Sequence, residues 1–328
     1  MNARLPDPSR PLDQEAAATA FDAIITGDVA DDDIAAFLLS LSARGETADE
    51  LAAAASVLRR LMLAINAPPG VIDLCGTGSD SSNSLNISTS TTFVVAAAGV
   101  PVAKHGNRSA SSKSGAADVL EALGWQSDLP LDRVEACLFE TGMTFVFAQR
   151  HHPALARVAP IRSKLHRRTI FNLVGPLANP AGVKRQMIGV PLPRWLEPMA
   201  HAAAQLGAEE ILTVHGGGLD EVAVHGSSEL VRIRGGELTR TQFDPVEAGL
   251  GLFDRAEIDG GGPEENAAEL LALLQGRGRP AYRAITLANA AMALTVTGKA
   301  WEEAFAMATE ALDSGAAHDQ LQRFVSFR

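Results

Sequence analysis

Between Val71 and Gly124 the chain runs twice through one pattern, and that pattern limits the folds open to it. An apolar run, Val71 to Cys75, enters a glycine-bearing turn, Gly76-Thr77-Gly78-Ser79-Asp80. Past Ser84 it reaches Asn86-Ile87-Ser88-Thr89, ahead of the apolar stretch Phe93 to Ala98. A second apolar run, Val100 to Ala103, delivers Lys104-His105-Gly106-Asn107-Arg108-Ser109-Ala110-Ser111-Ser112. Gly115 then opens a further helical segment, Ala116 to Leu123, stopped by Gly124. Each pass reads strand, polar turn, helix, which is how parallel strands are joined. Glycine turns let backbone come close to a ligand, and a helix N-terminus presents free N–H groups and partial positive charge. Two such turns side by side suit a phosphate. The turn is not a P-loop, because no Gly-Lys-Ser/Thr follows at the required spacing. Nor is it the dinucleotide fingerprint, because serine stands at position 81 where a third glycine is needed.

The same alternation continues down the chain. Strands are expected at Val71–Cys75, Val100–Ala103, Thr144–Phe147, Gln186–Val190 and Ile211–His215. Helices are expected near Ser88–Ala98, Gly115–Leu123, Leu131–Glu140, Pro153–Leu165 and Arg194–Leu206. Hairpins are expected over residues 219–243, with strands at Val222–His225, Leu230–Arg234 and Leu238–Thr241. Helices return at Ala267–Leu274, Ala281–Thr297 and Trp301–Ser314.

Upstream the pattern is different. After a proline-bearing tail, Leu12–Ile25 and Ala30–Ala43 read as helices, and Thr47 with Glu50 forms a capping box that starts a third helix reaching about Ile65. Ala67-Pro68-Pro69-Gly70 breaks it. The fold class is therefore α/β: a small N-terminal helical domain, residues 1–67, and a larger α/β domain, residues 68–328, with a mainly parallel central sheet. A later helical segment is open to joining the first domain. The apolar faces of the first three helices exceed what so short a unit buries alone, so a homodimer contact is expected there.

With 328 residues of which 46% are hydrophobic, the chain has material for a substantial core. A net charge of -11 argues against binding nucleic acid or an anionic membrane surface. Cys75 and Cys137 sit in apolar runs and read as buried thiols of a reducing compartment rather than a disulfide. The N-terminus lacks an apolar signal core, and no run approaches the ~20 apolar residues of a spanning helix. A cytoplasmic protein is expected.

The block Lys104 to Gly115, KHGNRSASSKSG, resembles the signature of the anthranilate phosphoribosyltransferases, and the resemblance extends from Leu12 to about Leu321. That family catalyses the second step of tryptophan biosynthesis. It moves the phosphoribosyl group of 5-phosphoribosyl 1-pyrophosphate (PRPP) onto anthranilate, with magnesium on the pyrophosphate, and works as a homodimer through its helical domain. The resemblance implies PRPP contacts from Gly76, Ser79, Asp80, Ser84, Asn86, Ile87, Ser88 and Thr89. It extends them to Lys104, His105, Gly106, Asn107, Arg108, Ser109, Ala110, Ser111, Ser112 and Ala116. Gly76, Asn107 and Arg162 would meet anthranilate. Ser88 and the acidic pair Asp220-Glu221, on the run Val214 to Glu221, would hold magnesium, with two ions per subunit. By itself each serine reads as a helix cap, Asp-Glu as a solvated turn and Arg162 as a surface arginine. The chemistry fits the richer reading: a lysine is a point charge for phosphate, adjacent carboxylates suit magnesium, and a guanidinium grips a carboxylate by two hydrogen bonds. No catalytic base is assigned, because an aromatic amine is already a nucleophile. His105 and His152 are expected as polar lining, and Phe171 to Pro180 as a turn behind the site, with Gly175 near the acceptor.

The chain departs from the family in places. Ser79 replaces a glycine, Ser84 a threonine, and Ala116 a small residue that is often glycine or serine. Gln149 replaces a proline beside the expected acceptor path, where Leu155 also stands for a methionine or aromatic. His166 replaces a glycine. Two other readings share the scaffold: a class II pyrimidine nucleoside phosphorylase and a non-enzymatic nucleic-acid-binding relative. Arg162, Asn107 and the acidic pair favour transfer to anthranilate over the phosphorylase, and the net charge of -11 with the intact acidic pair speaks against the nucleic-acid-binding relative.

Overall fold

The computed structural model describes residues 4–27, 29–78, 82–109 and 113–328. Ser79, Asp80, Ala110, Ser111 and Ser112, five of the expected PRPP contacts, lie outside the described residues. Seven strands among these residues form one sheet: β1 Ile72–Gly76, β2 Val102–Gly106, β3 Met143–Phe147, β4 Arg185–Gly189, β5 Glu210–Gly216, β6 Ser228–Arg234 and β7 Glu237–Phe243. Their order is β3-β2-β1-β4-β5-β6-β7. The first five run parallel; β6 and β7 add an antiparallel hairpin.

Side chains alternate between the two faces of the sheet, as the pleat requires. On one face Leu74, Met187 and Leu212 pack with helices Ile87–Ala97, Pro280–Thr295, Trp301–Asp313 and Ala316–Ser326. On the other, Ile188, Ile211 and Val231 pack with the N-terminal helices Gln14–Thr26, Asp31–Arg44 and Ala48–Leu61 and with Leu196–Gln205. Phe21 meets Phe37 and Phe171 edge-on, at centroid distances of 6.0 and 6.1 Å. The small helical domain thus lies against the larger one. Its apolar faces are covered within the chain, so they do not by themselves demand a second subunit.

Several expected elements change. The third helix carries the expected Thr47–Glu50 capping box but ends at Leu61 rather than Ile65. Beyond it, Leu63 N–H goes to the His151 carbonyl and Ile65 N–H to that of Pro180, so the backbone bonds outward. The single helix expected at Pro153–Leu165 is a 3-10 turn, Pro153–Arg157, followed by a separate helix, Ala159–Leu165. Pro160 suits a new first turn better than a helix interior. Val222–His225 is not a strand. It lies in the 217–227 connection between β5 and β6, and Val222, Ala223 and Val224 are fully buried. Their apolar character reflects core burial, and their backbone bonds go elsewhere: Val222 N–H to Asn289, Ala223 N–H to Ser228 Oγ, and Val224 carbonyl to Phe253 N–H.

Candidate active site

The sheet order sets the place of the site. From β1 the chain first builds outward through β2 and β3, then returns to the other side of β1 as β4. Loops on the two sides part at the carboxyl ends of β1 and β4, and ligands of open α/β sheets sit in such a crevice. A cavity of about 270 Å³ opens there. Gly76, Ser84, Asn86, Ile87, Ser88, Thr89, Lys104 to Ser109, Ala116, Arg162, Asp220 and Glu221 all line it. Every expected site residue that the structure describes therefore faces one cavity, although they come from strand ends, helix starts and loops as far apart in the chain as Gly76 and Glu221.

The acidic pair reaches the cavity because two glycines make room. Gly76 ends β1 and Gly189 ends β4, and they are register partners. A Cβ on Gly76 would lie 2.2 Å from Asp220 Oδ2, and one on Gly189 would lie 1.7 Å from the Asp220 carbonyl oxygen. The Asp220 carboxylate accepts the Gly78 N–H at 2.9 Å, which ties it to the glycine turn. Among the described residues no group of three or more His, Cys, Asp or Glu side chains is arranged to hold a metal. Two carboxylates and a hydroxyl match a magnesium ion that takes its remaining oxygens from phosphate and water.

In the same cavity, helix Ile87–Ala97 begins as expected, but without a side-chain cap from Asn86. Asn86 Oδ1 instead accepts from Asn266 Nδ2 at 2.8 Å, and Asn266 also accepts the Gly261 N–H. The Ser88 hydroxyl is not a cap either. It accepts from Lys104 Nζ at 3.1 Å, and the same ammonium donates to the Leu74 carbonyl at 3.0 Å. Lys104 is buried, so its charge is delivered at the cavity wall rather than on a mobile arm. Arg108 faces the cavity, but its guanidinium is held by Glu121 through both terminal nitrogens (2.6 Å each) and by Asp118 at 3.0 Å. Asp118 also accepts the N–H groups of Ser109 and Gly115, so this carboxylate shapes the second turn.

The remaining wall carries Arg162, His105 and His152. Arg162 is partly buried, and its Nε has no hydrogen-bond partner among the described residues. Its guanidinium lies 5.7 Å from the Phe171 ring centroid, and burial alone lowers its pKa. This is a desolvated cation turned to a cavity, not a surface arginine. Gly175, Pro176, Ala178 and Leu155 share the lining, as does Asn172. Gln149 does not: it is exposed on the short helix Ala148–His151, while its neighbour Ala148 faces the cavity. The expected effect of Gln149 on the acceptor path is therefore not supported by its position. The Phe171–Pro180 turn is anchored through Asp73, a residue that nothing local in the sequence marks out. Buried Asp73 accepts from Asn179 Nδ2 (2.8 Å), Gln186 Nε2 (3.2 Å) and the His105 N–H (3.2 Å), and Gln186 also donates to the Pro176 carbonyl.

His105 and His152 meet Nε2 to Nε2 at 3.2 Å, and His105 Nδ1 pairs with the Gly175 carbonyl at 2.9 Å. Burial, reinforced by its histidine neighbour, lowers the pKa of His105 to about 3, and burial chiefly lowers that of His152 to about 4. Both rings are neutral in the fold at pH 7, whereas in the unfolded chain they gain protons near the ordinary histidine value of 6.5. Between these values the unfolded state binds more protons, so this contribution to stability is complete above about pH 6.5 and is lost as pH falls toward 4 and 3. Thermal melts from pH 8 to pH 4 are expected to show Tm falling on the acid side. A His105→Asn, His152→Asn variant should show a shallower fall below pH 6.5.

Comparison with known proteins fits this geometry. The helical bundle domain of a glycosyl transferase family matches residues 6–62, and the α/β domain of the same family matches residues 68–318. The class is thus a two-domain glycosyl transferase. The anthranilate phosphoribosyltransferase of Rhodopseudomonas palustris (strain HaA2) is 48% identical over 318 residues, spanning 96% of this chain and 94% of the relative. That of Novosphingobium aromaticivorans is 48% identical over 325 residues, spanning 98% of both. Among solved structures, anthranilate phosphoribosyltransferase from Thermus thermophilus superposes with a TM-score of 0.92 at 40% identity, covering 97% of this chain and 96% of that one. The Saccharomyces cerevisiae enzyme in complex with PRPP and Mg gives 0.86 at 27% identity, covering 96% and 93%. The chain belongs to the anthranilate phosphoribosyltransferase family.

Proposed function

We propose that the protein transfers the 5-phosphoribosyl group of PRPP to the amine of anthranilate, releasing pyrophosphate, as a step of tryptophan biosynthesis. The observation that carries this reading is the single cavity with two unlike walls. Glycine turns, a helix N-terminus, a buried lysine and an acidic pair line one, and a desolvated arginine whose Nε has no partner among the described residues lines the other. A carboxylate answers that arginine with an opposite charge and two acceptor oxygens, whereas a neutral pyrimidine offers it only carbonyl oxygens. Anthranilate fluorescence tests the reading directly: it should be consumed when PRPP and magnesium are both present. Persistence of the signal, with turnover of thymidine and phosphate instead, would overturn it.

In this reading the anomeric C–O bond to pyrophosphate breaks as the amine nitrogen forms a C–N bond on the opposite face of the ribose. The amine then loses its proton to solvent. Catalysis is positioning and electrostatics. The Gly76–Gly78 turn, the N–H groups of Asn86 to Thr89, Lys104 and the Lys104–Ser109 turn would hold the phosphates. Arg162, with Asn107 and Gly76, would hold the anthranilate. Asp220, Glu221 and Ser88 would carry magnesium, two ions per subunit. When bound, the metal neutralises charge growing on the leaving pyrophosphate. Neutral His105 and His152 line the acceptor wall without adding a competing charge near the anthranilate carboxylate.

Lys104→Ala removes a charged donor worth roughly 1.5–3 kcal/mol. PRPP affinity is expected to fall about tenfold to a hundredfold, with anthranilate binding little changed, and calorimetry reads both. The same reading takes residues 1–67 and 68–328 as the two domains. The segments near Phe171 and Trp195 complete the helical side of the core, since they pack in the same cluster. No helix among the described residues is long and apolar enough to cross a membrane. The cytoplasm as the place of action rests on the family resemblance. A homodimer through the helical domain rests on the family resemblance. Light scattering at micromolar concentration should give twice the 34.4 kDa chain mass, and a species at the chain mass would refute it.

A further inference from the structure

Helix Pro280–Thr295 is buried along nearly its whole length and is mostly apolar, yet Tyr282, Thr286 and Asn289 are polar. Their spacing, four residues and then three, puts them on one stripe of the helix. Each turns its polar atom to the phosphate and metal side of the cavity. Tyr282 Oη donates to the Asn86 carbonyl at 3.4 Å, at the start of helix Ile87–Ala97. Thr286 Oγ1 lies 2.9 Å from Ser90 Oγ. Ser90 spends its one proton on the Ile87 carbonyl, so Thr286 is the donor. Asn289 binds one residue twice: Oδ1 accepts the Val222 N–H and Nδ2 donates to the Val222 carbonyl, each at 2.9 Å. Val222 directly follows the Asp220-Glu221 pair.

We infer that the stripe Tyr282–Thr286–Asn289 is a positioning element that holds the helix N-terminus bearing Ser88 and the loop bearing Asp220 and Glu221 in fixed relation to one another. None of the three lines the cavity, so they act through other residues. An apolar helix would pack equally well there, but it would leave Val222 with two unsatisfied buried backbone groups and the acidic pair free to drift. This inference rests on the reading of the acidic pair as metal ligands.

The test is PRPP calorimetry across a magnesium series, with the anthranilate KM as internal reference. Asn289→Ala is expected to weaken magnesium-dependent PRPP binding by about tenfold, while the anthranilate KM stays within about twofold, a split that general loosening of the fold would not produce. The shape-conserving pair Tyr282→Phe, Thr286→Val should weaken PRPP binding severalfold without changing its magnesium dependence, and it decides the matter alone if Asn289→Ala does not fold. Asp220→Asn is measured alongside. If Asp220→Asn alters magnesium dependence and well-folded stripe variants do not alter PRPP binding, the inference fails and the metal reading stands. If neither alters it, the metal reading fails and the inference falls with it. Equal losses in PRPP and anthranilate constants would show a merely structural stripe.

Discussion

Arg162→Ala is expected to raise the anthranilate KM by about a hundredfold or more while leaving the PRPP KM nearly unchanged. The magnitude follows from the surroundings of the side chain. Its Nε is buried without a partner among the described residues, and burial lowers its pKa. The folded protein therefore already bears the cost of desolvating this cation, and an incoming carboxylate recovers it. Removing one partner of a buried pair typically costs about 3 kcal/mol or more, since the other charge is left uncompensated. With the arginine gone, the anthranilate carboxylate meets only neutral donors such as Asn107. Arg162→Lys should recover only part of the loss, because an ammonium lacks the planar two-point grip. Steady-state kinetics with each substrate varied in turn gives the answer, and equal changes in both KM values would make Arg162 a structural residue.

The second large effect is expected at the acidic pair. Asp220→Asn with Glu221→Gln should keep the fold, because an amide oxygen can still accept the Gly78 N–H, and should raise the magnesium requirement steeply. Loss of even the outer partners of a metal typically costs about tenfold to a hundredfold, so removing direct ligands should reach at least the upper end. Magnesium titrations of PRPP binding measure it; a wild-type magnesium profile would remove the pair from the metal site. Gly189→Ala should reproduce the defect without touching a charge, because its Cβ would collide with the Asp220 backbone, and it should lower Tm as well.

The parts of the site legible in the sequence are those written locally. The turns after β1 and β2 announce themselves through glycines and small polar residues, and Thr47 with Glu50 marks a helix start within four positions. What stays illegible depends on contacts between distant segments. Val222 to Val224 reads as a strand because a buried loop and a buried strand require the same apolar residues; its partners Asn289, Ser228 and Phe253 show where the backbone bonds go. Ser88 reads as a cap because nothing local reveals Lys104 as its partner. Gln149 occupies a position beside the acceptor path by the order of motifs, but the short helix Ala148–His151 turns Ala148 inward in its place.

The crevice between Gly76 and Gly189 has a consequence for redesign. Where the ends of β1 and β4 meet, two residues are kept bare so that Asp220 can fit between them. No single side-chain replacement there opens a graded series of new donors; each disturbs three segments at once. The acceptor wall is made of side chains such as Leu155 and Ala148 that stand apart from that arrangement. Directed change is therefore expected to be asymmetric: libraries at these acceptor positions should yield catalysts for substituted aromatic amines, while the sugar-phosphate partner stays the same.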